Sequence, residues 1–422
     1  MGEVTAVARK LREQIHDFSG RLSPRFSVTQ RRFVEEMLYG IQSRQSVRLS
    51  EIGRSLEEAI PLAKTETRLS RNLAWCDLEE AVQEGVIRLA GRRVHRDTLL
   101  IFDTSDVCKP YAKRMEYLAT VRDGSAGELR EGYWLYTVTA CERGKRRAIP
   151  LYQSLASASA PDFSSENDQI LRAVDTVREG VGDRGVWVID RGGDRGVLYE
   201  AFIQRSLQFV IRLHGKRHLV FRGGKRPANS APIGCAFPYA ETVVREAHGK
   251  ENVYPLTYGF RRVRLPGYEE ELFLVMVKGF GQEPLLLLTN LPMRRNREVL
   301  WSVVESYITR WRVEEMIRFL KQSYHLEDIR VLTYRRLRNL VALVLAVGYF
   351  AVVHLGERLK VAVLARRLLK AAKRIYGVPA FHCYALADGI AAILRRTGQG
   401  PLCQLQRAKP PPGSLQMALQ GL

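Results

Sequence analysis

The sequence predicts an α/β protein, in which a mixed sheet is flanked by helices, with a β-rich insertion and helical regions at both ends. Three observations predict it. Residues 1–95 read as helical and basic. From Asp97 onward, short apolar runs alternate with helical segments in the order β-β-β-α-β-α-β, an order that suits a mixed sheet with helices on its faces. Between His214 and Asn296 the runs become strand-like and are split by Gly, Pro and charges, after which helices return.

The bulk numbers narrow the partners. The chain has 422 residues, 46% of them hydrophobic, which is enough for several domains and more than one core. Its formal net charge is +21 and its pI about 9.9, a balance that usually faces a polyanion, nucleic acid first and an anionic membrane surface second. The start "MGEVTAVARKLREQIHDF" has no apolar run after its charges and does not read as a signal peptide. The longest apolar run, Leu340 to Leu355, is shorter than the roughly 18–20 residues needed to span a bilayer and reads as a buried core helix. Six cysteines show neither a C-x-x-C pair nor neighbouring histidines, so neither a zinc module nor a disulfide framework is suggested. Reduced thiols in the cytosol are the expectation.

Four regions follow. Residues 1–95 form a basic helical domain expected to bind DNA. Within it "VRLSEIGRSLEEAIPLAKTETRLSRNLAW" resembles a helix-turn-helix whose second helix carries Arg68, Arg71 and Trp75. An ordinary helical bundle with solvated arginines is the other reading. Residues 96–213 and 297–357 form the central domain. In it "TLLIF" is a strand ending at Asp103. "YWLYTVTAC" and "RRAIPLYQSL" form a hairpin about the charged turn "ERGKR". "SENDQILRAVDTVREG" is a helix with an N-cap Ser, and "GVWVID" is a buried strand ending at Asp190. "GVLYEAFIQRS" and "LQFVIRL" are a further helix and strand. Residues 214–296 are the β-rich insertion. Residues 358–422 form a basic helical region with a loose Pro- and Gln-rich tail.

Two acids, Asp103 in "LLIFDTSD" and Asp190 in "VWVIDRGGD", sit at the ends of apolar strands. A carboxylate there loses solvation unless something positive meets it. One such Asp alone reads as a turn cap. Two in one sheet, with a Glu on a later helix, make a group whose natural counter-charge is a divalent metal. All-oxygen ligation suits Mg²⁺ or Mn²⁺, and two such ions about 4 Å apart can activate a water and stabilise the leaving oxygen of a phosphodiester.

The Glu comes from "YITRWRVEEMIRFLK", Tyr307 to Lys321, which lacks Gly and Pro and reads as one helix. At about 100° per residue, with Tyr307 at zero, Arg310 falls near about −60°, Glu314 near about −20° and Lys321 near about −40°. The four share one narrow stripe, whereas Glu315 points away from it. Trp301, Ile308, Met316, Phe319 and Leu320 fall on the opposite side, where Glu305 and Arg312 also lie without explanation. As a bare helix, Arg310–Glu314 would be a surface ion pair worth a few tenths of a kcal/mol.

In this order the residues resemble a known family. Asp103, Asp190 and Glu314 look like the acidic triad of DDE transposases with an RNase H-like core. Tyr307, Arg310, Glu314 and Lys321 reproduce the Tyr-x2-Arg-x3-Glu-x6-Lys signature of one insertion-sequence family in that group, with all spacings matching. "DTSD", "DRGGD" and "LLLLTNLP" resemble its other motifs, and the likeness covers roughly residues 97–355. It implies an RNase H-like mixed sheet and cut-and-paste transposition, with metal-dependent cleavage at the transposon ends and strand transfer into target DNA. It also implies two Mg²⁺ ions per site, with Mn²⁺ as a substitute, held by Asp103, Asp190 and Glu314. Tyr307, Arg310, Lys321 and Arg191 are then DNA contacts. The partners are terminal inverted repeats and target DNA, with a homodimer in the synaptic complex, no membrane, and a cytoplasmic, nucleoid-associated location. The alternatives on the same core are a structure-selective nuclease or resolvase without strand transfer, and a non-catalytic DNA-binding derivative. A peripheral membrane protein would explain the charge but not the acid spacing.

Overall fold

The computed structural model describes residues 2–124, 126–145, 148–247, 250–371 and 383–405. Part of the charged turn, the end of the basic helix after Ala371 and the tail beyond Leu405 lie outside the described residues.

The N-terminal region folds as five helices: α1 (Gly2–Leu22), α2 (Val28–Arg44), α3 (Leu49–Leu56), α4 (Leu62–Asn72) and α5 (Leu78–Gly91). Ser27 and Gln30 start α2 by capping each other's backbone N–H. Glu36, fully buried on α2, is paired with Arg32 at 2.7 Å and Arg68 at 2.5 Å, and Glu58 joins both arginines. Arg68 is thus consumed by ion pairs, whereas Arg71 and Lys64 on α4 are exposed. Helix α4 ends at Asn72, so Trp75 lies beyond it and packs edge-on against Phe33.

Four strands follow: β1 (Leu99–Cys108), β2 (Ala119–Arg122), β3 (Leu129–Cys141) and β4 (Ala148–Ala156). Strand β3 is the antiparallel partner of the other three. Then come α6 (Glu166–Val181), β5 (Val186–Ile189), α7 (Gly196–Gln204) and β6 (Gln208–Arg212), with β5 parallel to both β1 and β6. The order β4-β3-β1-β5-β6 is that of an RNase H-like sheet. All four residues of β5 are buried because helices cover both faces, which is why the strand reads as a continuous apolar run.

Segment 214–296 contributes a separate hairpin, β7 (His218–Phe221) with β8 (Gly224–Pro227), and then β9 (Tyr239–Ala247), β10 (Lys250–Val263), β11 (Leu272–Lys278) and β12 (Leu285–Thr289). The last four do not form a sheet of their own. They extend the central sheet to ten strands through the antiparallel pairing of β12 with β6. The Thr-Asn of "LLLLTNLP" fastens this join: Thr289 Oγ1 donates to Phe209 O at 2.6 Å, Asn290 Nδ2 donates to Leu207 O at 2.8 Å, and Asn290 Oδ1 accepts from Phe209 N at 3.0 Å.

The chain closes with α8 (Arg297–Thr309), α9 (Trp311–Ser323), α10 (Tyr334–Tyr349), α11 (Glu357–Ala371), α12 (Cys383–Thr397) and a short turn at Leu402–Leu405. Helix α10 runs on through a π turn, so Tyr334–His354 is 21 residues long, longer than the apolar run suggested. By length and composition it could cross a bilayer, but 89% of its apolar window is buried inside the protein. Its Gly348 admits Leu320 of α9, since a Cβ there would lie 2.3 Å from Leu320 Cδ2. Helix α12 packs on α1 and α2, and Arg395 donates to Ser43 O at 2.6 Å, so the two ends of the chain share one helical bundle.

Asn339 joins that bundle to the core helix. Its Nδ2 donates to Leu73 O and Trp75 O, each at 2.8 Å, and its Oδ1 accepts from Glu79 N at 3.0 Å. Asn339→Leu would leave these backbone groups unpaired and buried. We expect a loss of about 2–4 kcal/mol in denaturant unfolding, with the far-ultraviolet circular dichroism of the folded state unchanged.

Candidate active site

The parallel register sets the first two acids side by side. The last β1–β5 pair is Ile101 with Val188, and two residues further along each strand stand Asp103 and Asp190. Neighbouring strands lie about 4.8 Å apart, so both carboxylates leave the sheet at one level. Strand β1 does not end at Asp103 as the sequence suggested. It continues to Cys108 because β3 stays paired with it, and Thr137 Oγ1 donates to Asp103 O at 3.0 Å. What ends at this level is the β5 partner, and that frees the Asp103 side chain on one flank.

Asp190 caps the turn after β5, its Oδ1 accepting from Gly192 N at 2.7 Å. The turn needs Gly193, where a Cβ would fall 2.6 Å from Ile189 Cγ2. Asp194 lies in the short segment between this turn and α7, where it closes the turn with its N–H on Arg191 O. It is buried and accepts from His214 N at 2.7 Å, from Arg217 Nε at 2.6 Å and from Tyr199 Oη at 3.1 Å.

The predicted single helix 307–321 is two. At Arg310 the ladder changes to i→i−3 bonds, Arg310 N to Tyr307 O at 3.1 Å and Val313 N to Arg310 O at 3.0 Å, and α9 starts afresh at Trp311. The stripe survives the joint. The Arg310 guanidinium lies 5.7 Å from the Tyr307 ring centroid, 3.0 Å from Glu314 Oε1 and 3.6 Å from Asp103 Oδ2. Glu315 instead pairs with Arg312 at 3.0 Å.

Asp103, Asp190 and Glu314 line one cleft of about 680 Å³, together with Arg310 and Lys321. They do not form a closed cage, because Arg310 stands between Asp103 and Glu314. Among the described residues, the trio with ligand atoms all within 4.8 Å of one another is Asp106, Cys108 and Asp123. Internal donors already serve that trio: Gly124 N to Asp106 at 3.1 Å, Cys108 Sγ to Asp106 at 3.2 Å and Ala126 N to Asp123 at 3.0 Å. Burial pushes the Cys108 thiol up to about 12, with Asp106 adding to the shift, so it is a neutral packing group.

Charge in the cleft is unbalanced. Burial pushes the Asp103 carboxyl up to about 7; Arg310 opposes this, and the negative charges of Asp190 and Glu314 add to it. Three carboxylates from three elements, one of them resisting ionisation and all offering oxygen donors, fit a divalent cation. Lys321 reaches Glu327 at 2.9 Å and Asp106 O at 2.9 Å. Burial works against its charge, but Glu327 and Asp106 hold its ammonium above the usual range.

The other predicted contacts lie next door. Tyr307 and the exposed Arg191 line a pocket of about 370 Å³ with Arg212, Phe280 and Trp311, and Arg310 forms the wall shared with the acidic cleft. Arg212 escaped the sequence reading. It follows Ile211, which pairs with Ile189, so it continues the row Asp103, Asp190 by one strand, and its guanidinium lies 3.5 Å from Tyr307 Oη. The signal was a third apolar strand, "FVIR", ending in a charge of opposite sign.

No family model matches the chain, and no curated protein matches it. Among solved structures the chain is similar to a piggyBac transposase in a cryo-EM synaptic complex with hairpin DNA, with a TM-score of 0.47 and 9% identity, covering 97% of this chain and 82% of that one.

A pH test follows from Asp103. An unfolded Asp titrates near about 3.9. Between about 4 and about 7 the folded chain keeps a proton that the unfolded chain has lost, so this group lowers stability as pH rises through that window and levels off above it. In chelator, Asp103→Asn should therefore raise the thermal midpoint by a few degrees near about pH 8. The gain over the parent should vanish near about pH 4; a constant gain would show that burial does not hold the Asp103 proton.

Proposed function

We propose that the protein is a DNA transposase of the DDE type, cleaving at transposon ends and transferring strands into target DNA. The observation that carries this reading is the convergence of Asp103, Asp190 and Glu314, from β1, the β5 turn and α9, on one cleft. Asp103, Asp190 and Glu314 would hold Mg²⁺, with Mn²⁺ as a substitute. Ions bound there would supply Lewis-acid activation of the attacking oxygen and neutralise charge on the leaving one.

The chain's own residues do the positioning. Lys321, fixed by Asp106 and Glu327, gives the cleft wall a cation for a phosphate oxygen. Arg310 stays protonated beside the acids and places its cation on the wall shared by the cleft and the pocket. Arg191, Arg212 and Tyr307 line the adjoining pocket, where the strand leading from the scissile bond would run. Exposed Lys64 and Arg71 on α4 are further DNA contacts in this reading, and the synaptic form is a homodimer acting on DNA in the nucleoid.

The DNA flanking the gene supplies the substrate. Short inverted repeats bracketing it should be cut by the purified protein with Mg²⁺, and a free 3′-hydroxyl end should be joined to a second duplex. Asp190→Asn and Glu314→Gln should each lower both steps by at least about 10²–10³-fold while DNA binding persists. Cleavage without joined products would assign the structure-selective nuclease instead. Undiminished cleavage in Asp190→Asn would refute the site.

A further inference from the structure

After Arg212 the chain leaves the sheet at the level of the acids and enters "HGKRHLVFRGGKRP", residues 214–227. These fourteen residues hold five Lys or Arg and two His but no Asp or Glu. His214, Lys216, His218, Arg222, Lys225 and Arg226 are exposed. Among the described residues, Lys216, Arg222, Lys225 and Arg226 pair with no carboxylate.

The hairpin is fixed rather than loose. Leu219 and Phe221 are buried beneath it, Val220 bridges to Arg264 in both directions at 2.7 and 3.0 Å, and the Arg261 guanidinium lies 5.5 Å from the Phe221 ring centroid. Its base is tied to the turn that carries Asp190. Asp194, four residues after Asp190, takes the His214 N–H and the Arg217 side chain, and its own carbonyl accepts from Arg217 at 2.6 Å. A shallow groove of about 490 Å³ lies there, lined by Lys216, His218 and Lys225, with Asp194 as its one acid, already neutralised by Arg217.

We infer that β7–β8 is a rail for the phosphate backbone of duplex DNA, aligned on the acidic cleft by Asp194. The ligand is the phosphodiester chain rather than base edges, because the hairpin offers exposed lysines and arginines spread along its length with no acid among them, a pattern that follows phosphates. The inference rests on the transposase reading, since the cleft must act on DNA for a rail beside it to serve.

Salt dependence tests it. Each phosphate contact contributes about 0.9 to the slope of log K against log salt. With full-length protein and a fluorescein-labelled duplex of mixed sequence, the Lys216→Ala/Lys225→Ala/Arg226→Ala variant should lose about 2–3 from that slope and bind at least about tenfold more weakly at moderate salt. The control removes the same charge at the start of β1, outside the α4 contacts, where Arg92, Arg93 and Arg96 are exposed. Arg92→Ala/Arg93→Ala/Arg96→Ala should keep the parental slope. All the replaced side chains are exposed, and equal thermal midpoints verify folding. If both triple variants lose the same slope, or neither does, the rail is refuted while DNA cleavage by the parent would leave the transposase reading standing. If the parent binds anionic vesicles but no duplex, both fall together.

Discussion

The parallel register of β1, β5 and β6 is the constraint on which the site depends. It brings Asp103, Asp190 and Arg212 out of the sheet in one row, two anions and then a cation, with no loop needed to gather them. Everything on the approach side answers to this row. Arg310 and Glu314 face its acidic end, and Tyr307 faces Arg212. A one-residue slip of β5 would turn Asp190 to the other face of the sheet, and no side-chain adjustment could repair that.

The break at Arg310 follows from the sheet's extent. Helix α8 packs on the β10–β11 side, where Trp301 meets Tyr258, while α9 packs on β1 and β3. A sheet of this width twists, so one straight helix could not follow both parts. The i→i−3 joint separates the two helices and holds Arg310 inward, where two carboxylates balance its charge. The joint thus serves packing and the site at once.

The sequence showed the element order of the central domain except the short β2, together with the three acids and the stripe, because each is a local pattern: an apolar run with a charge at its end, or a period near 3.6. It did not show that β12 would join β6, because that pairing is long-range and depends on Thr289 and Asn290 finding the backbone of Leu207 and Phe209. Nor did it show that Arg68 would be spent on Glu36 and Glu58. The buried Glu36 lies 32 residues away on another helix, and a solvated arginine and a paired one look alike in a sequence. The extension of β1 past Asp103 was missed for a related reason. Residues 103–106 are polar and break the apolar run, and only the long antiparallel partner β3 keeps them extended.

Asp194 shows how far a motif can be understood from either side. In "DRGGD" the second Asp has the same chemistry as the first, and only its surroundings separate them. Asp190 stays at the cleft with one backbone donor, free to meet a cation. Asp194 is enclosed and receives several donors, one of them from a guanidinium, so its charge is spent within the fold. A buried carboxylate so well supplied is a clamp, and what it clamps is the base of the basic hairpin. The spacing of four residues therefore couples the position of a cleft acid to that of the surface beside it, and the two glycines between them make the turn tight enough for one short segment to do both.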